Sequence, residues 1–355
     1  MTSWSTGFYI GNKLVGANSP VYIIAEAGVN HNGNIELAKR LIDVARKAGA
    51  DAVKFQTFKA ENLNTKLAPK AIYHIETTGS DTEQSWFELL KTQELTADAH
   101  RELIDYAKTK GIEFLSTPYD SDSLELLDDL GVSCFKIAST DTNNHPFLSQ
   151  VAQKGKPIIL STAMSTLDEV RKSIEVLRQS GCNDLVVLHC TGSYPANLAD
   201  TNMLAMVTMR NALDVPVGYS DHTSEFVNPV LAVALGAVVF EKHFTLDRAL
   251  PGPDHRMSLT PEELEHTVSL IRGTEKALGN DTKEVLPGEK ETRLRLRKSL
   301  VAAHDLERGT VLTFADIAIK RPGTGISPEH LQETLGRKIK YPVPADTILS
   351  LENLE

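Results

Sequence analysis

Eight short apolar segments of this chain carry, or are followed by, polar side chains of types that do chemistry. A lone lysine in an apolar strand is usually an edge or snorkelling residue, but Lys54 and Lys136 both stand inside such segments and are accompanied by other donors. Hydroxyl groups accompany them in or after other segments: Thr117, Ser139, Ser161 and Ser220. Such a set of donors suits an anion with several oxygens, so we expect a phosphate or phosphate-carboxylate ligand. No GxxxxGK[ST] loop is present to hold a nucleotide.

Two histidines, His222 and His243, end neighbouring apolar segments. Neutral imidazoles on adjacent strands can meet at one divalent ion. Three carboxylates accompany the pair: Glu26, Asp221 and Glu241. The combination favours a metal over two structural histidines, and two protein ligands leave positions for substrate oxygen and water. His189 is a weaker candidate, because a buried hydrogen-bonded histidine explains it equally well.

The apolar segments predict the scaffold that positions these side chains. Each is short and rich in Val, Ile, Leu or Phe, as buried parallel strands are. The predicted strands are Val21–Ala27, Ala52–Phe58, Glu113–Pro118, Cys134–Ala138, Pro157–Ser161, Leu185–His189, Val215–Tyr219 and Val238–His243. Eight β/α units predict a TIM (β/α)8 barrel, whose chemistry lies at the carboxyl ends of its strands. A doubly wound open sheet is the alternative, although no GxGxxG follows the first strand.

Amphipathic stretches between the strands predict helices at Ile35–Ala48, Ala97–Lys110, Leu167–Ser180 and Pro261–Leu278. Two of them begin with recognisable caps. Thr166 precedes Leu167 with Glu169 three residues after the threonine, which is the spacing of a capping box. Thr260 stands before a proline at the first helical position.

The chain changes character after Leu278. We assign residues 1–282 to the barrel with a short N-terminal extension, 283–298 to a linker and 299–355 to a small β-rich domain. The linker region is strongly charged, which is typical of a surface arm or of a solvated helix. The last segment can bury only a modest core alone, so docking on another surface is expected.

Composition excludes several classes of function. The 355 residues carry a formal net charge of −10, which argues against sequence-independent binding of nucleic acid or of an anionic membrane. No run of 18 apolar residues and no secretory signal pattern is present. Three cysteines without a CxxC pair fit a reducing compartment, so we expect a cytoplasmic protein.

The segments that carry these residues resemble the sialic acid synthases, which include N-acetylneuraminate, legionaminic acid and pseudaminic acid synthases. The matching segments are Ile23–Gly33, Lys54–Phe58, Phe114–Asp120, Phe135–Ser139, Pro157–Met164, Leu188–Ala196, Gly218–Thr223, Glu241–His255 and Lys320–Ser327. They follow the family order over nearly the whole chain. The last lies in what resembles the family's C-terminal antifreeze-like (SAF) domain.

The resemblance implies condensation of phosphoenolpyruvate with an N-acylated mannose-type sugar, giving a nine-carbon 2-keto-3-deoxy acid and phosphate. It implies that phosphoenolpyruvate is held by Lys54, Thr117, Lys136, Ser139, Ser161 and Ser220. The residues implied for the sugar are Gln56, Tyr194, Asp254 and Arg321. His222 and His243 would bind one Mn²⁺ or Mg²⁺, while Glu26 or Asp141 would steer water at the reacting centre. The family also implies a domain-swapped homodimer in which Arg321 enters the partner's site.

Two positions depart from the family pattern. At the first, Asp141 stands where neuraminate synthases usually have glutamate. At the second, Gly192 and its neighbour Ser193 replace a larger pair before Tyr194, which removes an asparagine that some members use at phosphoenolpyruvate. The Gly252–Asp254 run argues against the pseudaminic branch, and the remaining choice leans to a diacetamido-trideoxy sugar over a mannosamine. Three other readings stay open: a related synthase for a phosphorylated aldose, a metal-dependent hydrolase, and a non-catalytic polysaccharide-binding protein.

Overall fold

The structure, a computed structural model, describes residues 4–80 and 83–355, with every side chain in them except that of Tyr73. Its strands are β1 Gly7–Ile10, β2 Lys13–Gly16, β3 Tyr22–Gly28, β4 Ala52–Thr57, β5 Glu113–Pro118, β6 Phe135–Ile137, β7 Ile158–Ser161, β8 Leu185–Cys190, β9 Val217–Asp221, β10 Val239–His243, β11 Ser299–Ala302 and β12 Ile317–Lys320. Strands β3 to β10 pair in parallel, and β10 pairs with β3, so the sheet closes. The barrel prediction is confirmed, and the open-sheet alternative is wrong because it leaves these two strands as edges.

Helices lie between the strands and around the barrel. They are α1 Ile35–Ala48, α2 Ala60–Leu63, α3 Ile72–Thr78, α4 Trp86–Gln93, α5 Ala97–Lys110, α6 Ser121–Asp129, α7 His145–Gln153, α8 Leu167–Gln179, α9 Ala205–Leu213, α10 Val227–Ala234, α11 Pro261–Leu278, α12 Lys290–Leu296 and α13 Leu331–Thr334. Both predicted caps are present as capping boxes, because Thr166 and Thr260 each accept from the N3 backbone while the N3 glutamate returns the bond. Helices α1 and α5 end where Gly49 and Gly111 adopt left-handed backbone conformations, which glycine reaches without steric cost.

A hairpin of β1 and β2 covers the amino-terminal end of the barrel. Phe8, Ile10 and Val15 are buried and join one apolar cluster with residues of β3, β5, β8 and β10. At the edge of this region, Asp51 accepts from the backbone N–H of Ile23 at 2.7 Å and pairs with Arg272 at 2.9 Å. The hairpin therefore packs apolar side chains against the amino-terminal end of the barrel and excludes water there.

The chain forms two compact units, the first ending at Gly279 and the second running Asn280–Glu355. The second unit pairs β11 with β12 antiparallel and has its own core of buried Leu, Ile and Val side chains. Its charged first segment contains helix α12, which has no buried residue. No helix among the described residues is long and apolar enough to span a membrane.

Candidate active site

A cavity of about 670 Å³ opens at the carboxyl ends of the barrel strands. Its lining contains thirteen of the predicted residues: Glu26, Lys54, Gln56, Thr117, Lys136, Ser139, Asp141, Ser161, Tyr194, Ser220, His222, His243 and Asp254. Arg321 lies outside the barrel, exposed in the second unit just after β12, and its role stays a prediction. Closing the barrel thus brings together side chains that are distant along the sequence.

Two buried lysines and two buried carboxylates form what we call the cavity floor. The members are Glu26, Lys54, Lys136 and Glu241. The Lys54 ammonium lies 2.8 Å from Glu26 Oε2 and 3.8 Å from Glu241 Oε2. The Lys136 ammonium lies 3.6 Å from Glu241 Oε1. Glu241 therefore stands between the two cations and balances part of their charge before any ligand binds.

The sequence analysis placed Glu241 beside the two histidines but assigned it no binding or catalytic role. Its position two residues before His243 could have indicated a role, because residues i and i+2 of a strand face the same side and Glu241 therefore faces the cavity with His243. It also accepts a hydrogen bond from the Ser220 hydroxyl at 3.1 Å, so it connects the lysines to the end of β9.

The two carboxylates of the floor have different protonation behaviour. Burial raises the pKa of Glu26 to about 7, against the opposing effect of Lys54. Burial also acts on Glu241, but Lys136 and Lys54 outweigh it and hold the Glu241 pKa below its usual value. Near neutral pH, Glu26 can therefore take up or release a proton while Glu241 stays ionised.

The lysines respond to the same surroundings in opposite directions. Burial alone would lower the pKa of Lys54, but Glu241 and Glu26 outweigh it and raise that pKa. Burial dominates at Lys136 and lowers its pKa, although Glu241 opposes the effect. With Glu26 protonated, the floor holds two ammonium groups against one carboxylate, so it attracts an anion.

Hydroxyl groups extend this donor set. Lys54 donates to the Thr117 hydroxyl at 3.1 Å, and Lys136 donates to the Ser161 hydroxyl at 2.6 Å. Ser139 Oγ accepts from the Ala163 backbone N–H at 2.9 Å, which fixes its position beside Cys190. The predicted anion donors are thus neighbours in space, with their positions set by hydrogen bonds.

His222, His243 and Tyr194 form an aromatic group on one side of the cavity. The two imidazole centroids lie 5.8 Å apart, and the Tyr194 ring stacks on His222 at 4.1 Å. His222 Nδ1 lies 2.6 Å from the Thr191 carbonyl oxygen, so that nitrogen carries the proton and Nε2 keeps its lone pair. Burial lowers the pKa of His222 to about 4 and that of His243 well below its usual value.

These two imidazoles fit a divalent metal in their chemistry. Both are neutral, one is oriented through its other nitrogen by a backbone carbonyl, and Nδ1 of His243 is buried without a hydrogen-bond partner. No group of three or more His, Cys, Asp and Glu side chains converges as a metal site in the part of the chain that the structure describes. A metal would therefore depend on two protein ligands.

Asp221 and His189, which the sequence placed near this group, serve other purposes. Asp221 pairs at 2.7 Å with Lys242 and accepts a hydrogen bond from the Thr223 backbone N–H. Neither Asp221 nor Lys242 lines the cavity. Nε2 of His189 lies 2.8 Å from the Thr201 carbonyl oxygen, so the structural interpretation of His189 accounts for its contact.

The rim of the cavity carries the predicted sugar contacts. Gln56 donates to Glu26 Oε1 at 3.4 Å, and Asp254 Oδ2 lies 4.0 Å from His243 Nδ1. Burial raises the pKa of Asp254 to about 6, with Lys54 opposing. Asp141 accepts from the Asn144 amide at 2.9 Å, and burial raises its pKa as well. These groups place hydrogen-bonding atoms around the space above the floor.

A further set of lining residues was missed by sequence reasoning. Leu63, His74, Trp86 and Leu90 come from the long segment between β4 and α5, and we call them the outer wall. His74 stacks on Trp86 with centroids 4.2 Å apart. No periodic pattern distinguishes these residues from an ordinary surface segment, so only the folded chain reveals them.

Comparison with known proteins gives the family. The model of the NeuB family matches residues 41–283, and the SAF domain matches residues 297–355. The chain belongs to the NeuB family. It is therefore an enzyme of the acid synthase type, with a C-terminal SAF domain, and the resemblance seen in its sequence is confirmed.

Individual relatives agree with this assignment. The N,N'-diacetyllegionaminic acid synthase of Legionella pneumophila is 43% identical over 97% of this chain and 98% of its own length. The enzyme of that name from Campylobacter jejuni is 45% identical over 89% of this chain and 94% of its own. Among solved structures, the N-acetylneuraminic acid synthetase of Leptospira borgpetersenii matches with a TM-score of 0.70 and 35% identity, covering 82% of this chain and 96% of that one.

Proposed function

We propose that this NeuB-family enzyme condenses phosphoenolpyruvate with an N-acylated mannose-type sugar and water, giving a nine-carbon 2-keto-3-deoxy acid and phosphate. The acceptor we favour is 2,4-diacetamido-2,4,6-trideoxymannose, with N-acetylmannosamine as the alternative. The observation that carries the proposal is the cavity floor, where Lys54 and Lys136 lie on either side of Glu241 and beside Glu26. A polyanionic substrate explains why two cations are buried there.

Phosphoenolpyruvate would lie above the floor, where its phosphate and carboxylate oxygens would accept hydrogen bonds from the two ammonium groups. The hydroxyls of Thr117, Ser139, Ser161 and Ser220 add neutral donors around the same anion, some of which now pair with the lysines. Such donors are already oriented, so they stabilise the developing charge without reorganisation.

The acceptor would place its aldehyde beside His222 and His243, with Tyr194, Gln56 and Asp254 around its hydroxyl and acylamino groups. A divalent metal such as Mn²⁺ or Mg²⁺, held by the two imidazoles, would polarise the aldehyde oxygen. The bond to the Thr191 carbonyl keeps His222 in the tautomer that this role needs, and stacking on Tyr194 orients its ring.

The reaction joins C3 of phosphoenolpyruvate to the aldehyde carbon with the electrons of the C2–C3 double bond, and water adds to C2, where positive charge develops. One proton of that water ends on the former aldehyde oxygen and the other on the departing phosphate, which leaves by C–O cleavage. Glu26 is the group we assign to proton transfer, since its pKa of about 7 lets it accept and return a proton at neutral pH. Asp141 is a second candidate for orienting the water, through its position on the cavity lining.

A homodimer in which each subunit supplies Arg321 to the other's cavity is part of the proposal, since Arg321 is exposed and Met164 on the cavity lining is 73% exposed. A guanidinium there would give a planar donor pair for the acceptor's acyl oxygen. Arg321→Ala would raise the KM for the sugar with little change in that for phosphoenolpyruvate.

The test combines purified protein with phosphoenolpyruvate, Mn²⁺ and each acceptor separately, in ¹⁸O-labelled water. We expect phosphate release together with a nine-carbon product, and phosphate without label, because C–O cleavage leaves the bridging oxygen on phosphorus. Labelled phosphate would identify hydrolysis at phosphorus and contradict the proposal, as would phosphate release that does not depend on sugar. Turnover of one acceptor far above the other decides between the two sugars.

A further inference from the structure

Two loops at the mouth of the barrel are tied together by buried side chains. The first, residues 29–34, lies between β3 and α1 and contains Asn30, which the proposed reaction has not used. The second, residues 244–260, lies between β10 and α11, begins directly after His243 and carries Asp254. The bonds between these loops therefore help to set where Asp254 stands relative to His243.

The Asn30 side chain acts as a hydrogen-bond donor between the loops. Asn30 is fully buried, and its Nδ2 donates to the Phe244 carbonyl at 2.8 Å and to Ser258 Oγ at 3.0 Å. Its Oδ1 is buried and has no hydrogen-bond partner among the described residues. Because both bonds use the amide N–H groups, a carboxylate or an apolar side chain of similar size cannot make them.

Ser258 continues this chain of bonds to Asp254. The Ser258 hydroxyl is fully buried and donates to the Asp254 carbonyl at 2.6 Å, so an oxygen lone pair is left to accept from Asn30. Asp254 precedes a short 3-10 turn, and its own side chain makes no capping bond there. The backbone of Asp254 is thus held from behind while its carboxylate faces the cavity. We call these two side chains the Asn30–Ser258 link.

The other end of the link fixes the backbone beside His243. The Phe244 N–H donates to the Glu26 carbonyl at 3.0 Å, and the Phe244 carbonyl accepts from Asn30. Asp254 Oδ2 lies 4.0 Å from His243 Nδ1. A single buried amide therefore connects the residue that follows His243 with the turn that presents Asp254.

A second connection locates the start of the same loop. The Asn32 amide donates to the Pro251 carbonyl at 2.8 Å, and the His255 ring lies 3.3 Å from Asn32 Oδ1 through its Nε2. Gly252 passes between them so closely that a Cβ there would lie 2.8 Å from Asn32 Oδ1. These contacts hold the loop against residues 29–34, and the Asn30–Ser258 link is the connection that ends on Asp254 itself.

We propose that Asn30 and Ser258 are positioning residues for the acceptor sugar: their hydrogen bonds hold Asp254 where its carboxylate can accept from a sugar hydroxyl beside His243. Neither Asn30 nor Ser258 lines the cavity, so both act through Asp254. The inference rests on the proposed function, whose sugar contact it explains.

The test compares full-length wild type with Ser258→Ala, Asn30→Ala, Asp254→Ala and the Ser258→Ala/Asp254→Ala double variant. N-acetylmannosamine and 2,4-diacetamido-2,4,6-trideoxymannose are each titrated by calorimetry into Mn²⁺-loaded protein, and phosphoenolpyruvate is titrated separately. Turnover is measured in parallel, and where it occurs the KM for each substrate gives the same comparison. Ser258→Ala removes one hydroxyl from the interior, so the folded barrel should persist in this variant.

We expect Ser258→Ala to weaken acceptor binding about tenfold, as the loss of one well-oriented hydrogen bond allows. Asn30→Ala, which breaks both bonds of the link, should weaken it at least as much. The affinity for phosphoenolpyruvate should stay within about threefold of wild type in both, because no anion donor is moved. In the Asp254→Ala background, Ser258→Ala should cause no further loss, since the group that it positions is gone.

Ser116→Ala is the matched control. Ser116 is fully buried in β5, its hydroxyl lies 2.7 Å from that of Thr57, and it does not line the cavity. It should lose stability in urea denaturation much as Ser258→Ala does, while its affinity for the acceptor remains that of wild type. An equal loss of acceptor affinity in both variants would show general damage to the barrel and overturn the inference.

The remaining outcomes separate the link from the reaction. Turnover with an unchanged acceptor KM in Ser258→Ala, or a further loss caused by Ser258→Ala in the Asp254→Ala background, would overturn the inference and leave the proposed function standing. Acceptor binding that follows the expected pattern without turnover would support the link and contradict the proposed reaction. Neither binding nor turnover of either sugar by wild type would remove both.

Discussion

Replacing Lys54 with methionine tests whether the cavity floor binds an anion. Lys54 is buried and contacts Glu26 at 2.8 Å, Thr117 at 3.1 Å and Glu241 at 3.8 Å. Losing one partner of a buried ion pair costs about 3–5 kcal/mol of folding free energy. A charge-assisted hydrogen bond to substrate contributes about 1.5–3 kcal/mol, so phosphoenolpyruvate should bind roughly 10- to 150-fold more weakly.

Lys242→Met is the matched control. Lys242 is as buried as Lys54 and pairs with Asp221 at 2.7 Å, but neither Lys242 nor Asp221 lines the cavity. The control should therefore lose a similar free energy of unfolding while keeping its affinity for phosphoenolpyruvate within about threefold, as expected when no ligand contact is removed.

The assay pairs urea denaturation with calorimetric titration of phosphoenolpyruvate, both at low temperature so that each variant remains folded. If both variants lose affinity to the same extent, the loss at Lys54 reflects general damage to the barrel. If Lys54→Met binds phosphoenolpyruvate as wild type does, the anion lies elsewhere and the assignment of the floor is wrong.

Three further predictions follow from the same structure. Folding raises the pKa of Glu26 from 4.5 to about 7, so the stability that its protonated form contributes is complete below about pH 4.5 and is lost as the pH rises through 7. In urea denaturation, the stability advantage of wild type over Glu26→Gln should therefore be smaller at pH 8 than at pH 5. His222→Ala and His243→Ala should each weaken Mn²⁺ binding, followed by electron paramagnetic resonance, by more than about tenfold, whereas His189→Ala should bind normally; equal effects at all three positions would refute the metal pair. Phe8→Ala leaves a cavity under the β1–β2 hairpin and should lower the free energy of unfolding by about 3–5 kcal/mol, while kcat below the melting temperature stays unchanged. A change in kcat would show that the hairpin affects the site.

The sequence by itself determined the elements of the barrel. All eight barrel strands were predicted to within two residues, because parallel strands covered on both faces are short continuous apolar runs. Helices α1, α5 and α11 were predicted with the bounds that the structure has. Local signals lie at their ends: left-handed glycines follow α1 and α5 in the structure, and a capping threonine and a first-position proline predicted the start of α11.

The polar strand ends were also legible, since a charged or hydroxyl group ending a buried strand needs a partner whatever the fold. Lys54 and Gln56 stand two residues apart in β4, a spacing that puts both on one face of a strand, and both line the cavity. The sequence could thus predict most of the side chains around the site, together with the end of the barrel at which they meet.

Tertiary structure decided what these side chains do to one another. Strand β10 has polar residues on both faces, and only closure of the barrel places Glu241 and His243 inside while Lys242 pairs with Asp221 outside. The raised pKa of Glu26 has the same origin, because burial and the approach of Lys54 and Glu241 exist only in the closed barrel. The outer wall comes from an excursion between β4 and α5 whose position depends on contacts with the loop after β10, a separation in sequence that no local pattern can record.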